Sequence, residues 1–335
     1  MKSLLIKKNE AGQRLDKYLK KLLPEAPSSF LYKMLRKKNI VLNGRKADGS
    51  EMTAVGDEVR LWLSEETFGK FSASPSRIYR DMLDPDRIIF QNEDILIYNK
   101  PAGTLSQQSR EGDVSVNEQF VSYMLREGQI TEEELNTFHP GICNRLDRNT
   151  SGIIVCGKSL RGLQTMGEAL RNRTAHKDYL AAVTGRLDIG RDVRNYLIKD
   201  PDTNRVSVYD EEKKGSEMIH TAFRTVYCDD SCSLIMCRIY TGKSHQIRAQ
   251  LAHLGHPVIG DRKYAGTVSG NGKRGKGTVS AGSEGNGMCL HSYRLSLDEK
   301  TVFTAEVPDY FRNAVKGYQW EHGRPGAFED LPLRS

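Results

Sequence analysis

No uncharged apolar run in this 335-residue sequence approaches the ~18 residues that a membrane-crossing helix requires. Stretches such as YLAAV fall far short. The opening residues, MKSLLIKKNEAG, hold one short apolar run that Lys7 and Lys8 close at once, so a secretory leader and a membrane anchor are both unexpected. A cytoplasmic protein is the expectation. Regular cysteine spacing is also lacking, so the six cysteines do not suggest a disulfide framework and are expected to be reduced thiols. Cys228, Cys232 and Cys237 crowd together without the paired knuckles of a zinc site, so no metal is expected. Their segment, YCDDSCSLIMCRIY, reads instead as a hairpin turning at Asp229 to Ser231.

What the chain does have is a local excess of positive charge. Residues 1–63 carry ten Lys and four Arg against seven acidic residues, and basic and acidic residues balance over the remainder. A basic module ahead of a neutral body suggests a polyanion-binding appendage, because Lys and Arg at phosphates supply most non-specific nucleic-acid affinity. A merely solvated charged surface has the same composition. The length allows two domains, and 38% hydrophobic residues are enough for a core.

In GQRLDKYLKKLLPEA, Leu15, Tyr18, Leu19, Leu22 and Leu23 recur at steps of three and four, which predicts an amphipathic helix ended by Pro24. A second helix is predicted in SSFLYKMLRKKN, capped by Ser28 or Ser29, with Arg36, Lys37 and Lys38 at its C-terminal end. Strands around an Asn-Gly turn follow in IVLNGRKA, with Arg45 just beyond the turn, and another in GDEVRLWL. This order resembles the small S-four-type RNA-binding module of ribosomal proteins. The resemblance implies RNA contacts from Arg36, Lys37, Lys38 and Arg45. The module is placed at residues 1–68, a polar linker at 69–87, a larger domain at 88–318 and a tail at 319–335.

The larger domain opens with a predicted hairpin, RIIFQNEDILIYNKPAG. Further strand patterns follow at GIIVCGK, KDYLAAVTG, TAFRTVYC, SLIMCRIYTG and TVFTAEVP, with helical patterns at VNEQFVSYMLREG and LRGLQTMGEALRNR. Irregular interleaving of this kind predicts an α+β fold on a mixed, largely antiparallel sheet. Residues 266–287 hold eight glycines and a near-match to a phosphate loop at Gly270, Gly275 and Lys276. Gly277 stands where Ser or Thr would bind magnesium, and no strand leads in, so a flexible insertion is expected.

The tripeptide RLD occurs three times. At 14–16 it lies on the first helix, at 186–188 between glycines, and at 145–147 in HPGICNRLDRNTSGIIVCGKS, where Asp147 stands between Arg145 and Arg148 before an apolar strand. Loops at the edge of a rigid sheet commonly carry catalytic groups, although a surface ion pair explains the same residues.

RLDRNTSGIIVCGKS resembles the signature of the RluA family of RNA pseudouridine synthases, usually HRLD, two residues, TSG, apolar residues and Lys. NKPAG, HKDYLAAVTG, TGKSHQIRAQLAHLGHPVIGDRKY and LHSYRL agree with that family in order. The resemblance implies an isomerase acting on RNA through a central cleft, with no cofactor. It implies Asp147 as the catalytic carboxylate, Arg248 as its cationic partner and Tyr179 as the active-site tyrosine. Arg145 would fill the gap left by a flipped base, while Lys100 and His245 are placed on the RNA side of the site. Lys100 also reads as framework in the KPAG turn. Asn144 departs from the family His. The favoured partner is large-subunit ribosomal RNA or its precursor particle, and a non-catalytic ribosome-assembly protein is the alternative. A glycoside hydrolase is disfavoured because no second acid is seen to accompany Asp147 in the matched segments.

Overall fold

A computed structural model describes residues 1–72, 81–110, 112–265, 287–320 and 325–333. The phosphate-loop-like residues Gly270 to Gly277 lie outside that set.

The N-terminal residues build a four-stranded antiparallel sheet against two helices. Strand β1 (Lys2–Leu5) pairs with β4 (Glu58–Leu61), which pairs with β2 (Ile40–Leu42), and β2 with β3 (Arg45–Lys46). Helix α1 (Leu15–Leu22) buries Leu15, Tyr18, Leu19 and Leu22, the predicted stripe, and stops before Pro24, whose ring disfavours helical backbone at the residue before it. In α2 (Ser28–Arg36) the predicted serine cap is corrected: Pro27 is the capping residue and makes no side-chain bond, while Ser28 and Ser29 are already helical. Asn43 and Gly44 both take positive φ, 50° and 71°, as a two-residue turn between twisted strands demands. A further helix, α3 (Glu65–Phe71), starts at Ser64, whose hydroxyl accepts from the Thr67 N–H at 3.1 Å. It crosses the expected boundary at residue 68. Lys7 reaches Glu134 at 3.4 Å, and the Thr137 hydroxyl bonds Glu10, joining this unit to the larger one.

The larger unit is an α+β fold on an eleven-stranded mixed sheet. Its strands are β5 (Ile88–Gln91), β6 (Ile95–Lys100), β7 (Gly141–Ile142), β8 (Ser151–Gly157), β9 (His176–Thr184), β10 (Gly190–Lys199), β11 (Val206–Tyr209), β12 (Glu217–Cys228), β13 (Cys232–Ile239), β14 (Leu290–Ser296) and β15 (Val302–Thr304). The helices are α4 (Val116–Arg126), α5 (Leu160–Arg171), α6 (Gln246–His253) and α7 (Asp309–Ala314). The main path runs β11-β10-β12-β13-β9-β14-β8-β6-β5, with β15 beside β14 and β7 beside β8. Every pairing is antiparallel except β14 with β8.

The central strands read as unbroken apolar runs because both faces are covered. Leu96, Tyr98, Ile154 and Cys156 join the core beneath α4, around Phe120 and Met124. Ile95, Ile97, Ile153 and Val155 point the other way, onto Met166 of α5. The cysteine-rich segment is the predicted hairpin: Asp229 Oδ1 accepts from the N–H of Ser231 at 2.7 Å and of Cys232 at 2.9 Å. All six cysteines are free thiols.

One contact fixes the middle of the sheet. Gly152, at φ 108°, lies so close to β14 that a Cβ there would stand 2.2 Å from the Ser292 carbonyl oxygen. The adjacent Ser151 hydroxyl meets His291 Nδ1 at 2.8 Å, in full burial.

Candidate active site

The loop from Cys143 to Thr150 enters β8, and its shape follows from which residues it buries. Leu146 points inward, with its N–H donated to Ser106 Oγ at 3.0 Å and its carbonyl accepting from the same hydroxyl at 2.8 Å. Its neighbours Arg145 and Asp147 line a cleft of about 570 Å³. Asn144 Oδ1 accepts from the Val155 N–H at 2.8 Å, and its amide donates to the Ile153 carbonyl at 3.2 Å. Asn144 is therefore a backbone-matching bracket between the loop and β8.

Lys100 corrects a sequence expectation. It was placed among RNA contacts, yet it is fully buried, and its ammonium donates to the carbonyls of Pro101 at 3.0 Å, Thr104 at 2.9 Å and Arg148 at 3.0 Å. Burial lowers its pKa to about 7, opposed by the charge of Asp147. The three carbonyls match the three ammonium donors, which fits the framework reading.

Asp147 keeps 29% of its side chain exposed, facing the cleft. Arg248, on α6, donates from Nη1 to Asp147 Oδ2 at 2.8 Å. Its other edge is taken by Asp261, with Nε to Oδ2 at 2.7 Å and Nη2 to Oδ1 at 2.8 Å. Burial alone would lower the Arg248 pKa, but the hydrogen bonds and charges of Asp261 and Asp147 outweigh it and raise it. Asp261 thus holds the guanidinium rigid, so that one free N–H edge is aimed at Asp147.

Asp261 also overturns the statement that the matched segments hold no second acid, since it lies in GDRKY. It is not a second acid for catalysis: it is 2% exposed and both oxygens face Arg248. Its signal was its place thirteen residues after Arg248, but nothing in spacing alone says which acid an arginine will choose.

Tyr179, on β9, is 6% exposed and lines the cleft, with its pKa pushed up to about 12, first by burial and then by the charge of Asp147. The phenol therefore keeps its proton at neutral pH. Lys177 lies two residues earlier on the same strand face, also lining the cleft, with its pKa lowered by burial. Sequence reading passed over it although the period of two marks it. Thr150 lines the cleft too, its buried hydroxyl without a hydrogen-bond partner among the described residues. His245 precedes α6, its Nε2 3.8 Å from Asp147 Oδ2. Burial is the leading cause that lowers its pKa, with Arg248 and Lys263 adding to it and Asp147 opposing. Arg145 is exposed at the mouth, and Asp147's closest cation is Arg248 rather than this sequence neighbour.

Arg36, Lys37, Lys38 and Arg45 are exposed on the N-terminal unit and do not line the cleft. Among the described residues, no group of three or more His, Cys, Asp or Glu side chains could hold a metal ion, and no helix is long and apolar enough to cross a membrane.

The cleft therefore gathers one carboxylate, a rigidly held arginine and a protonated phenol from three separate segments. A carboxylate so placed can act on a sugar carbon or its proton, and a phenol at van der Waals range of a flat base can stack on it and relay a proton.

Comparison with known proteins agrees with this chemistry. The family described as RNA pseudouridylate synthase matches residues 94–253. Ribosomal large subunit pseudouridine synthase C of Escherichia coli (strain K12) is 28% identical over 300 residues, covering 89% of this chain and 88% of that protein. The synthase C of Pasteurella multocida is 31% identical over 275 residues, covering 79% and 78%. Synthase D of Xylella fastidiosa is 30% identical over 259 residues, covering 77% and 73%. The solved structure of human RNA pseudouridylate synthase domain containing 4 shares the fold at a TM-score of 0.54 and 18% identity, covering 69% of this chain and 92% of that one. The chain belongs to the RluA-type family of RNA pseudouridine synthases and is an isomerase of that class.

Proposed function

We propose that this enzyme converts particular uridines of large-subunit ribosomal RNA, or of its precursor particle, to pseudouridine in the cytoplasm. The observation that carries the site assignment is the 2.8 Å bond between Asp147 and an arginine whose other edge is occupied by Asp261. The target RNA is read from the relatives, which are named for the ribosomal large subunit.

In this reading the target uridine leaves its stack and enters the cleft, and Arg145, exposed and planar, stacks in the gap left behind. Asp147 acts on the ribose, by attack on C1′ or by removing a neighbouring sugar proton. The bond from C1′ to N1 of uracil breaks, the base turns against Tyr179, and a bond from C1′ to C5 forms. The C5 proton leaves and N1 gains one, so atoms balance without an added reagent. Arg248 keeps Asp147 charged and aimed throughout.

The division into an S-four-type module at 1–68, a linker at 69–87, a catalytic domain at 88–318 and a tail at 319–335 belongs to the same proposal; helix α3 runs past the first of these boundaries to Phe71. Arg36, Lys37, Lys38 and Arg45 lie exposed there, as does Trp62, 45% exposed and able to stack on a base, whose N–H is donated to the carbonyl of Asn39 at 2.8 Å, one residue from Lys38.

The test is tritium release from ribosomal RNA labelled at C5 of uridine. Wild type should release label and Asp147→Asn should not, with a loss of at least about a thousandfold expected for a residue on the reacting atoms. Release by neither form would favour an RNA-binding assembly protein, and equal release by both would take the chemistry away from Asp147. Mapping pseudouridines in ribosomal RNA from cells without the gene identifies the target.

A further inference from the structure

His245 has an unusual backbone for its residue type. It sits at φ 55°, ψ 17°, the left-handed region, immediately before α6. That conformation costs a residue with a Cβ about 1 to 2 kcal/mol, and the side chain makes no capping bond to the helix. Strain at a cleft is a reason to ask what the side chain is held for.

The imidazole is placed by two contacts. Nδ1 lies 2.9 Å from the Tyr264 hydroxyl, with the two rings edge to face. Nε2 lies 3.8 Å from Asp147 Oδ2, the oxygen that also accepts from Arg248. A carboxylate only accepts, so a neutral ring turned toward it carries its proton on Nε2 and takes the Tyr264 hydroxyl's hydrogen bond at Nδ1. Burial in company with Arg248 and Lys263 favours that neutral ring.

The separation of Nε2 and Oδ2 exceeds hydrogen-bond length. It leaves both atoms within reach of one group lying beside the pair, about 2.8 Å from each, that accepts from Nε2 and donates to Oδ2, which is what a hydroxyl does. A phosphate oxygen would only accept, and Asp147 would repel it. On a nucleotide whose C1′ is presented to Asp147, the hydroxyl on the neighbouring carbon is the 2′-hydroxyl, the group that distinguishes RNA from DNA. We propose that His245 reads the 2′-hydroxyl of the flipped nucleotide and makes the site selective for a ribose. This rests on Asp147 as the residue that acts on the sugar, and it gives His245 a specific part among the expected RNA contacts.

The experiment uses the full-length enzyme and an RNA oligonucleotide containing its target uridine, synthesised with either ribose or 2′-deoxyribose at that one nucleotide. Single-turnover rates and binding constants are measured for wild type, His245→Ala and Tyr264→Phe. Wild type should favour the ribose substrate by about tenfold or more, the worth of one hydrogen bond. In His245→Ala that preference should collapse toward unity, through a loss confined mainly to the ribose substrate. Tyr264→Phe keeps the imidazole and removes its Nδ1 partner. It should lower the preference partway and move the acid limb of the rate profile to higher pH, because the ring then protonates more readily among Asp147, Asp261, Arg248 and Lys263.

An equal loss on both substrates in His245→Ala, with the ribose preference intact, overturns the inference, as does a Tyr264→Phe enzyme with unaltered preference and pH profile. Asp147→Asn serves as the separate control: if it stays active, the underlying assignment of the site has failed, whatever His245 does.

Discussion

Lys100 has exchanged all its water for three backbone carbonyls drawn from two chain segments, the KPAG turn and the catalytic loop. Replacing it by Met should strand those acceptors, at about 1 to 3 kcal/mol each before relaxation. Urea unfolding should therefore show Lys100→Met destabilised by about 3 kcal/mol or more. His291 gives a pH prediction. Its burial lowers its pKa from 6.5 to about 4, so the unfolded chain binds the proton more readily between those values. The neutral ring's contribution is full above pH 6.5 and is lost as pH falls toward 4, on the order of 3 kcal/mol. Melting temperature should drop over that interval, and less so in His291→Asn. At this scale the sequence was most readable through the family resemblance, which pointed to Asp147, Arg248 and Tyr179, and these three line one cleft. It was least readable where a partner had to be chosen, because neither Asp261 behind Arg248 nor the carbonyls around Lys100 leave any trace in spacing.

Among the secondary-structure elements, amphipathic helices and apolar strands such as β8 and β13 were legible, while a fully buried helix and a heavily charged strand were not. The stripe of α1 and the hairpins of β2 with β3, β5 with β6 and β12 with β13 follow from period and turn chemistry. Helix α6 escaped notice because Gln246 to Ala252 are buried all round, so no polar face marks its period. Strand β10 carries Arg191, Asp192 and Arg194 and does not alternate cleanly, and β1 is too short and exposed to signal itself. Gly152 is an element-level constraint, since it lets β8 lie against β14. Gly152→Ala combines a positive φ with a 2.2 Å approach to backbone, and should cost about 3 kcal/mol or more, read as a fall in melting temperature with loss of label release.

For the whole molecule, net positive charge concentrated in residues 1–63 predicts how RNA affinity depends on salt. Replacing Arg36, Lys37, Lys38 and Arg45 together by Ala should raise KM and reduce the slope of log affinity against log salt by up to about 3, near 0.7 for each phosphate contact removed. The rate at saturating RNA should change little. Filter binding over a salt series checks this, and an unchanged slope would place the RNA elsewhere.

The strand order carries a consequence for how the enzyme comes into being. Among the described residues, strands β5, β6 and β8 on one side and β9 to β13 on the other share the sheet only through β14, which is made last of the three that meet there. Asp147 belongs to the first half, Tyr179 and Arg248 to the second. Until residue 296 has been synthesised and threaded between them, the halves have no shared edge, and such long-range closure is slow. The nascent chain should therefore have no catalytic site until β14 has been made, and a chain released before β14 should hold two unjoined half-sheets and no activity.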